Sequence, residues 1–121
     1  MRKKILVAED NECNRRLVTD ILRHYGYVVI QANDGKQALE MADQHVPDLI
    51  LMDMQMPVMD GFEAIKQLRS NEKTAGIKII AITSFAMSEE KKLILATGVD
   101  KYVAKPIDTR KLPKVIKQML E

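Results

Sequence analysis

Four short apolar runs in this chain stop on residues that carry chemistry, and that placement constrains the fold more than any other feature. Ile5-Leu6-Val7-Ala8 ends on Glu9-Asp10, and Leu49-Ile50-Leu51-Met52 ends on Asp53. Ile79-Ile80-Ala81-Ile82 ends on Thr83, and Tyr102-Val103-Ala104 ends on Lys105-Pro106. Runs of strand length alternate with stretches of helical period, the pattern of βαβ units around a parallel sheet. Such strands all point one way, so side chains distant in sequence meet at the carboxyl edge, where open α/β sheets bind ligands. Three carboxylates, a hydroxyl and an ammonium would gather there.

The pattern predicts strands near residues 4–8, 27–31, 48–53, 78–83 and 101–104, and helices near 12–24, 35–45, 61–71, 88–97 and 110–120. The first helix carries Leu17, Val18, Ile21 and Leu22 on one stripe, and the last carries Leu112, Val115, Ile116, Met119 and Leu120. Gly26 and Gly98 stand where helices end, while Asn11, Asp34 and Asp60 stand where they begin. Pro113 fits the start of the last helix proper, after a turn opened by Asp108-Thr109. The third and fourth strands are almost wholly apolar, as expected of strands covered on both faces.

The 121 residues suit one domain, residues 1–121, with a single core. The start at Met1 and the end soon after the last helix fit a stand-alone unit. Formal net charge is +2 with acids and bases interleaved, so no block marks a nucleic-acid or anionic membrane surface. No apolar run approaches the roughly 20 residues that span a bilayer. Cys13 is the single cysteine, so no internal disulfide can form and a cytoplasmic setting is favoured; no redox role is expected for it.

Gathering Glu9, Asp10 and Asp53 is unfavourable by itself, since two like charges about 4 Å apart repel by about 4 kcal/mol at an effective dielectric near 20. Lys105 offsets part of that. A hard divalent cation offsets the rest, and carboxylate oxygens with water are what Mg²⁺ selects. His24 and His45 fall in helices away from this edge and Cys13 has no partner, which argues against zinc. The expected centre is Mg²⁺ held by acids, with an anion bridging it to Lys105 and Thr83. A carboxylate can act as a nucleophile that forms an aspartyl-phosphate, and phosphoryl transfer mainly needs positioning and charge neutralisation. Asp53 closes the central strand and is the expected acceptor. The adjacent Glu9 and Asp10 are the expected metal holders.

These residues carry a resemblance. Leu6-Val7-Ala8-Glu9-Asp10-Asn11, the stretch Asp48 to Pro57 with Asp60-Gly61, Thr83-Ser84, and Tyr102-Val103-Ala104-Lys105-Pro106 match motifs in order. Over essentially its whole length the chain resembles the receiver domain of bacterial two-component response regulators. The resemblance implies a flavodoxin-like, doubly wound five-stranded parallel sheet of order 2-1-3-4-5 with five helices. It implies that Asp53 is phosphorylated by a histidine kinase or phosphotransfer protein in a Mg²⁺-dependent reaction. Glu9 and Asp10 match its metal-binding acids, though Asp is commoner than Glu at the first position. The backbone carbonyl of Gln55 matches a further metal ligand. Thr83 and Lys105 match the residues that contact the phosphoryl group, and Tyr102 the aromatic that changes position on activation.

On this reading the output surface comprises the fourth helix, fifth strand and fifth helix, acting on protein partners without direct nucleic-acid contact or membrane insertion. Leu93-Ile94-Leu95 cannot all face a core from one helix, so Leu93 is expected on a partner surface. Phe85, two residues past Thr83, is expected to hinder water and prolong the phosphorylated form. The chain is not expected to be an enzyme beyond self-phosphorylation and self-dephosphorylation. A receiver excised from a hybrid histidine kinase is a variant that shares the chemistry. Three rivals differ from it. A haloacid-dehalogenase-type phosphatase would want an Asp where Gln55 stands. A flavin or nucleotide domain would want a phosphate loop where Glu9-Asp10-Asn11 is acidic. A receiver-like module that is never phosphorylated would not need the intact acceptor, acids, hydroxyl and lysine.

Overall fold

The computed structural model describes residues 2–84 and 88–121. Along the chain run β1 (Lys4–Ala8), α1 (Glu12–His24), β2 (Val28–Ala32), α2 (Gly35–His45) and β3 (Leu49–Asp53). Then follow α3 (Gly61–Ser70), β4 (Lys78–Thr83), α4 (Ser88–Ala96), β5 (Lys101–Ala104) and α5 (Leu112–Leu120). The strands form one parallel sheet of order β2-β1-β3-β4-β5. This is the doubly wound, flavodoxin-like arrangement expected.

Side chains alternate across a strand, and here the alternation separates two cores. Leu6, Ala8, Ile50, Met52, Ile79 and Ala81 pack with Ala38 and Ala42 of α2, Ala64, Ile65 and Leu68 of α3, and Ile94 of α4. Ile5, Val7, Leu49, Leu51, Ile80 and Ile82 pack on the other face with Val18 and Leu22 of α1 and Leu112 and Ile116 of α5. Each fully buried Leu or Ile contributes about 1.5–3 kcal/mol. The central strands are covered on both sides, which is why β3 reads as unbroken apolar residues until Asp53.

Local signals set the helix ends. Asn11, Asp34 and Asp60 each accept an N–H from three residues on, at 3.0, 2.7 and 3.0 Å. Gly26 and Gly98 take φ of 90° and 97° after α1 and α4. Six boundaries differ from expectation, among them the end of β2 at Ala32 rather than 31, the start of β3 at Leu49 rather than 48 and the end of α4 at Ala96 rather than 97. β2 begins at Val28 rather than residue 27. α3 stops at Ser70, and Asn71 is already extended. α5 begins at Leu112 because the Asp108 carboxylate accepts the Arg110 and Lys111 N–H groups, holding 109–111 as a turn. Pro113 falls in the first turn of that helix, as expected.

Two β-branched residues adopt left-handed backbone that the sequence did not announce. Val46 ends α2 at φ 42°, and Val58 has φ 68° at the centre of a tight turn in which the Met59 N–H donates to Pro57 O at 2.7 Å. That turn lies in the loop between Asp53 and α3. The loop returns so closely that a Cβ on Gly61 would sit 2.7 Å from Met54 Cα. Only glycine admits that approach, and it brings α3 directly up to the end of β3.

Candidate functional site

The strand ends meet at one edge, and β1, β3 and the residue after β5 bring the acids and the lysine together. Asp53 is fully buried at the end of β3 and Glu9 is nearly so just after β1, while Asp10 is exposed. Single ligand atoms from Glu9, Asp10 and Asp53 all lie within 4.8 Å of one another. Lys105 Nζ sits 2.8 Å from Asp53 Oδ2 and 4.0 Å from Glu9 Oε2. The other Asp53 oxygen accepts the Gln55 N–H at 2.9 Å. Glu9 Oε1 likewise accepts the Asn11 N–H at 3.1 Å. A cleft of about 430 Å³ opens beside them, lined by Glu9, Asn14, Leu17, Ser84, Lys105 and Pro106.

Electrostatics follow from this crowding. Burial pushes the Glu9 carboxyl up to about 7, helped by a hydrogen bond with Asp53 and by the Asp53 charge. The Asn11 N–H and the Lys105 ammonium pull the other way and do not win. Asp10 makes no side-chain hydrogen bond or ion pair among the described residues. Among the described residues one ammonium faces three acids, so negative charge is in excess. Oxygen donors of this kind, close-set and short of positive charge, fit a hard divalent cation such as Mg²⁺.

Thr83 is fully buried at the end of β4. Its position in the alternation puts it with Ile79 and Ala81, on the face shared by Tyr102. Tyr102 is half-buried in β5, with Lys91 Nζ 5.0 Å from its ring centroid. In α4, Ile94 is buried while Leu93 and Leu95 are 63% and 43% exposed, so the apolar triplet is split as its spacing requires. Phe85 lies outside the described residues. No helix among the described residues is long and apolar enough to cross a membrane.

Two pairs at this edge escaped the sequence reading. From the loop after β3 the Gln55 side chain reaches the residue that follows β4, where Ser84 Oγ donates to Gln55 Oε1 at 2.5 Å. Arg15 of α1 donates through Nη1 to the Glu9 carbonyl at 2.9 Å and through Nε to Gln31 Oε1 at 3.1 Å. β2 ends without an acid, yet Gln31 joins it to the site through that arginine.

Comparison with known proteins agrees with this geometry. A profile of the response regulator receiver domain matches residues 5–117. The polar-differentiation response regulator DivK of Brucella ovis is 39% identical over 120 residues, covering 99% of this chain and 98% of that protein. The chemotaxis response regulator CheY4 of Vibrio cholerae has the same fold, with TM-score 0.94, 32% identity, and coverage of 99% of this chain and 100% of that one. The receiver domain of the sensor histidine kinase PA1611 from Pseudomonas aeruginosa superposes with TM-score 0.91 at 33% identity, over 99% and 98% of the two chains. That structure holds a magnesium ion in its active-site cleft. With the fold, the convergent strand ends and these likenesses in agreement, the chain belongs to the response regulator receiver domain family, a class of signalling domains.

Proposed function

We propose that residues 1–121 act as a phospho-acceptor switch in which Asp53 takes a phosphoryl group from a histidine kinase or histidine phosphotransfer protein, with Mg²⁺ required. The observation that carries this is the setting of Asp53. It is a buried carboxylate ending the central strand, bound on one oxygen by Lys105 at 2.8 Å and on the other by the Gln55 N–H at 2.9 Å. A buried acid held at both oxygens has a fixed direction, and positioning is most of what phosphoryl transfer asks of a protein.

In this reading an Asp53 oxygen attacks phosphorus as the bond to the donor nitrogen breaks; with the donor ring protonated on its other nitrogen, the products are an aspartyl-phosphate and a neutral donor imidazole. Mg²⁺, when bound, would neutralise charge developing on the phosphoryl oxygens. Glu9, Asp10, Asp53 and the Gln55 backbone carbonyl would hold it. Lys105 would leave its pairing with the carboxylate to follow the incoming phosphoryl oxygens, and Thr83 would donate to another. Later attack by water on phosphorus returns Asp53 and releases phosphate. A phosphoryl group carries about two negative charges at neutral pH. Drawing Thr83 and Lys105 toward it would bias α4, β5 and α5, with Tyr102 turning toward the space Thr83 leaves. Leu93 would then present that surface to a protein partner in the cytoplasm.

The likeness to a sensor kinase's receiver domain makes a hybrid-kinase setting the second reading; the chemistry at Asp53 is the same. The test is incubation with Mg²⁺ and acetyl phosphate, followed by intact mass measurement. Wild type should gain one phosphate and Asp53→Asn none. Labelling that survives Asp53→Asn, or no labelling of wild type, would contradict the proposal.

A further inference from the structure

The metal-binding pair is held from behind by a residue that no part of the phosphoryl chemistry uses. Glu9 follows the last residue of β1, and its main chain is bound at both ends. Its N–H donates to Ala32 O at 3.0 Å, and its carbonyl accepts Arg15 Nη1 at 2.9 Å. Arg15 is half-buried on the first turn of α1, and its Nε is braced by Gln31 of β2 at 3.1 Å. A planar guanidinium with two donors engaged has a set orientation. The Glu9 carbonyl belongs to the Glu9–Asp10 peptide, so fixing it fixes the plane from which Asp10 departs.

This matters most for Asp10. Its exposed side chain has no hydrogen bond or ion pair among the described residues, so the backbone alone aims it. Glu9 differs, since the Asn11 N–H already holds its carboxylate. We infer that Arg15, braced by Gln31, is a positioning residue that aims the Asp10 carboxylate at the cation by clamping the Glu9 carbonyl. The inference rests on the metal-binding reading above. It also explains what β2 contributes to a site at which it offers no ligand.

Charge and position make opposite demands here, which makes the inference testable. A nearby guanidinium repels a divalent cation, so by charge alone its removal would tighten Mg²⁺ binding. If it acts by position, removal weakens binding, and loss of a residue that orients a metal ligand typically costs about 10- to 100-fold in affinity. The experiment is calorimetric titration of the full chain with Mg²⁺, with circular dichroism to show that each variant is folded. Alanine is the best helix former, so Arg15→Ala should keep α1 intact.

Arg15→Ala should weaken Mg²⁺ binding about tenfold. Arg15→Lys, which keeps one donor for the Glu9 carbonyl, should recover most of that loss. Gln31→Ala should cost a few-fold in the wild-type background and nothing further in Arg15→Ala, because Gln31 acts through the arginine. Unchanged or tighter binding by folded Arg15→Ala would overturn the inference, as would independent, multiplying losses from the two substitutions. Absence of Mg²⁺ binding by wild type would instead overturn the functional reading on which the inference stands.

Discussion

At the amino end of the sheet Asp48 accepts the Lys4 N–H at 2.8 Å, and Asp100 accepts the Ile79 N–H at 2.8 Å while pairing with Arg69 at 3.1 Å. At the carboxyl end Glu9, Asp10 and Asp53 crowd together, and among the described residues their ion pairs are with Lys105 alone. Both ends place acids beside strand termini. At one end each carboxylate closes an open backbone position, and Asp100 is also paired with an arginine. At the other, charge is concentrated past what the protein neutralises. The difference separates acids that serve the fold from acids that serve a ligand, because a local conflict left standing in an otherwise consistent structure marks a functional site.

The comparison breaks if the amino end proves dispensable to stability. Arg69 donates to the carbonyls of Gly98 at 3.0 Å, Ala75 at 2.8 Å and Ile77 at 2.6 Å, besides pairing with Asp100. Removing it strands several acceptors, so Arg69→Ala should cost about 2–3 kcal/mol in urea denaturation. Labelling by acetyl phosphate of the folded fraction should stay at the wild-type extent. A stable variant that fails to label would reverse the roles of the two ends.

Proton linkage sharpens the contrast. The Glu9 carboxyl is raised to about 7, by burial first and then by Asp53, so the folded state binds more protons than the unfolded chain between about 4.5 and 7. Its contribution to stability is therefore full below that window and lost as pH rises through about 7. A metal must displace the same proton, so Mg²⁺ affinity should fall about tenfold between pH 8 and pH 6. Calorimetry across that range checks the sign, and a pH-independent affinity would remove Glu9 from the metal site.

The smallest expected effect concerns Val58, whose left-handed φ of 68° sits in the loop leading away from Asp53. Asparagine tolerates that region, so Val58→Asn should stabilise the fold by about 1 kcal/mol in a thermal melt. A loss instead would mean that the exposed valine contributes a contact outweighing the strain.

Much of this was legible in the sequence, for physical reasons that can be named. A strand's end is marked where its apolar run stops, so Asp53, Thr83 and the Glu9-Asp10 pair announced both their position and their neighbours. Helix caps are equally local, which is why Asn11, Asp34 and Asp60 were found. The Arg15–Gln31 and Gln55–Ser84 contacts were not, because each depends on how far a side chain reaches between elements adjacent only in space. The left-handed Val46 and Val58 were invisible for another reason. A β-branched residue adopts that backbone only when its surroundings impose it. The two-residue delay of α5 came from the competing side-chain hydrogen bonds of Asp108.

The account turns on unbalanced charge at the carboxyl end, and Asp10 tests it with least disturbance because its side chain has no hydrogen bond or ion pair to lose among the described residues. Urea denaturation of wild type and Asp10→Asn should be compared at pH 8, without Mg²⁺ and at saturating Mg²⁺. Without the cation the variant should be the more stable by about 1 kcal/mol, since one of three repelling charges is gone. Saturating Mg²⁺ should reverse the order, because a ligand that binds only the folded state stabilises in proportion to its affinity. If wild type is the more stable without Mg²⁺, or if the cation leaves both proteins unchanged, the acids are not held in conflict and the proposed site is not one.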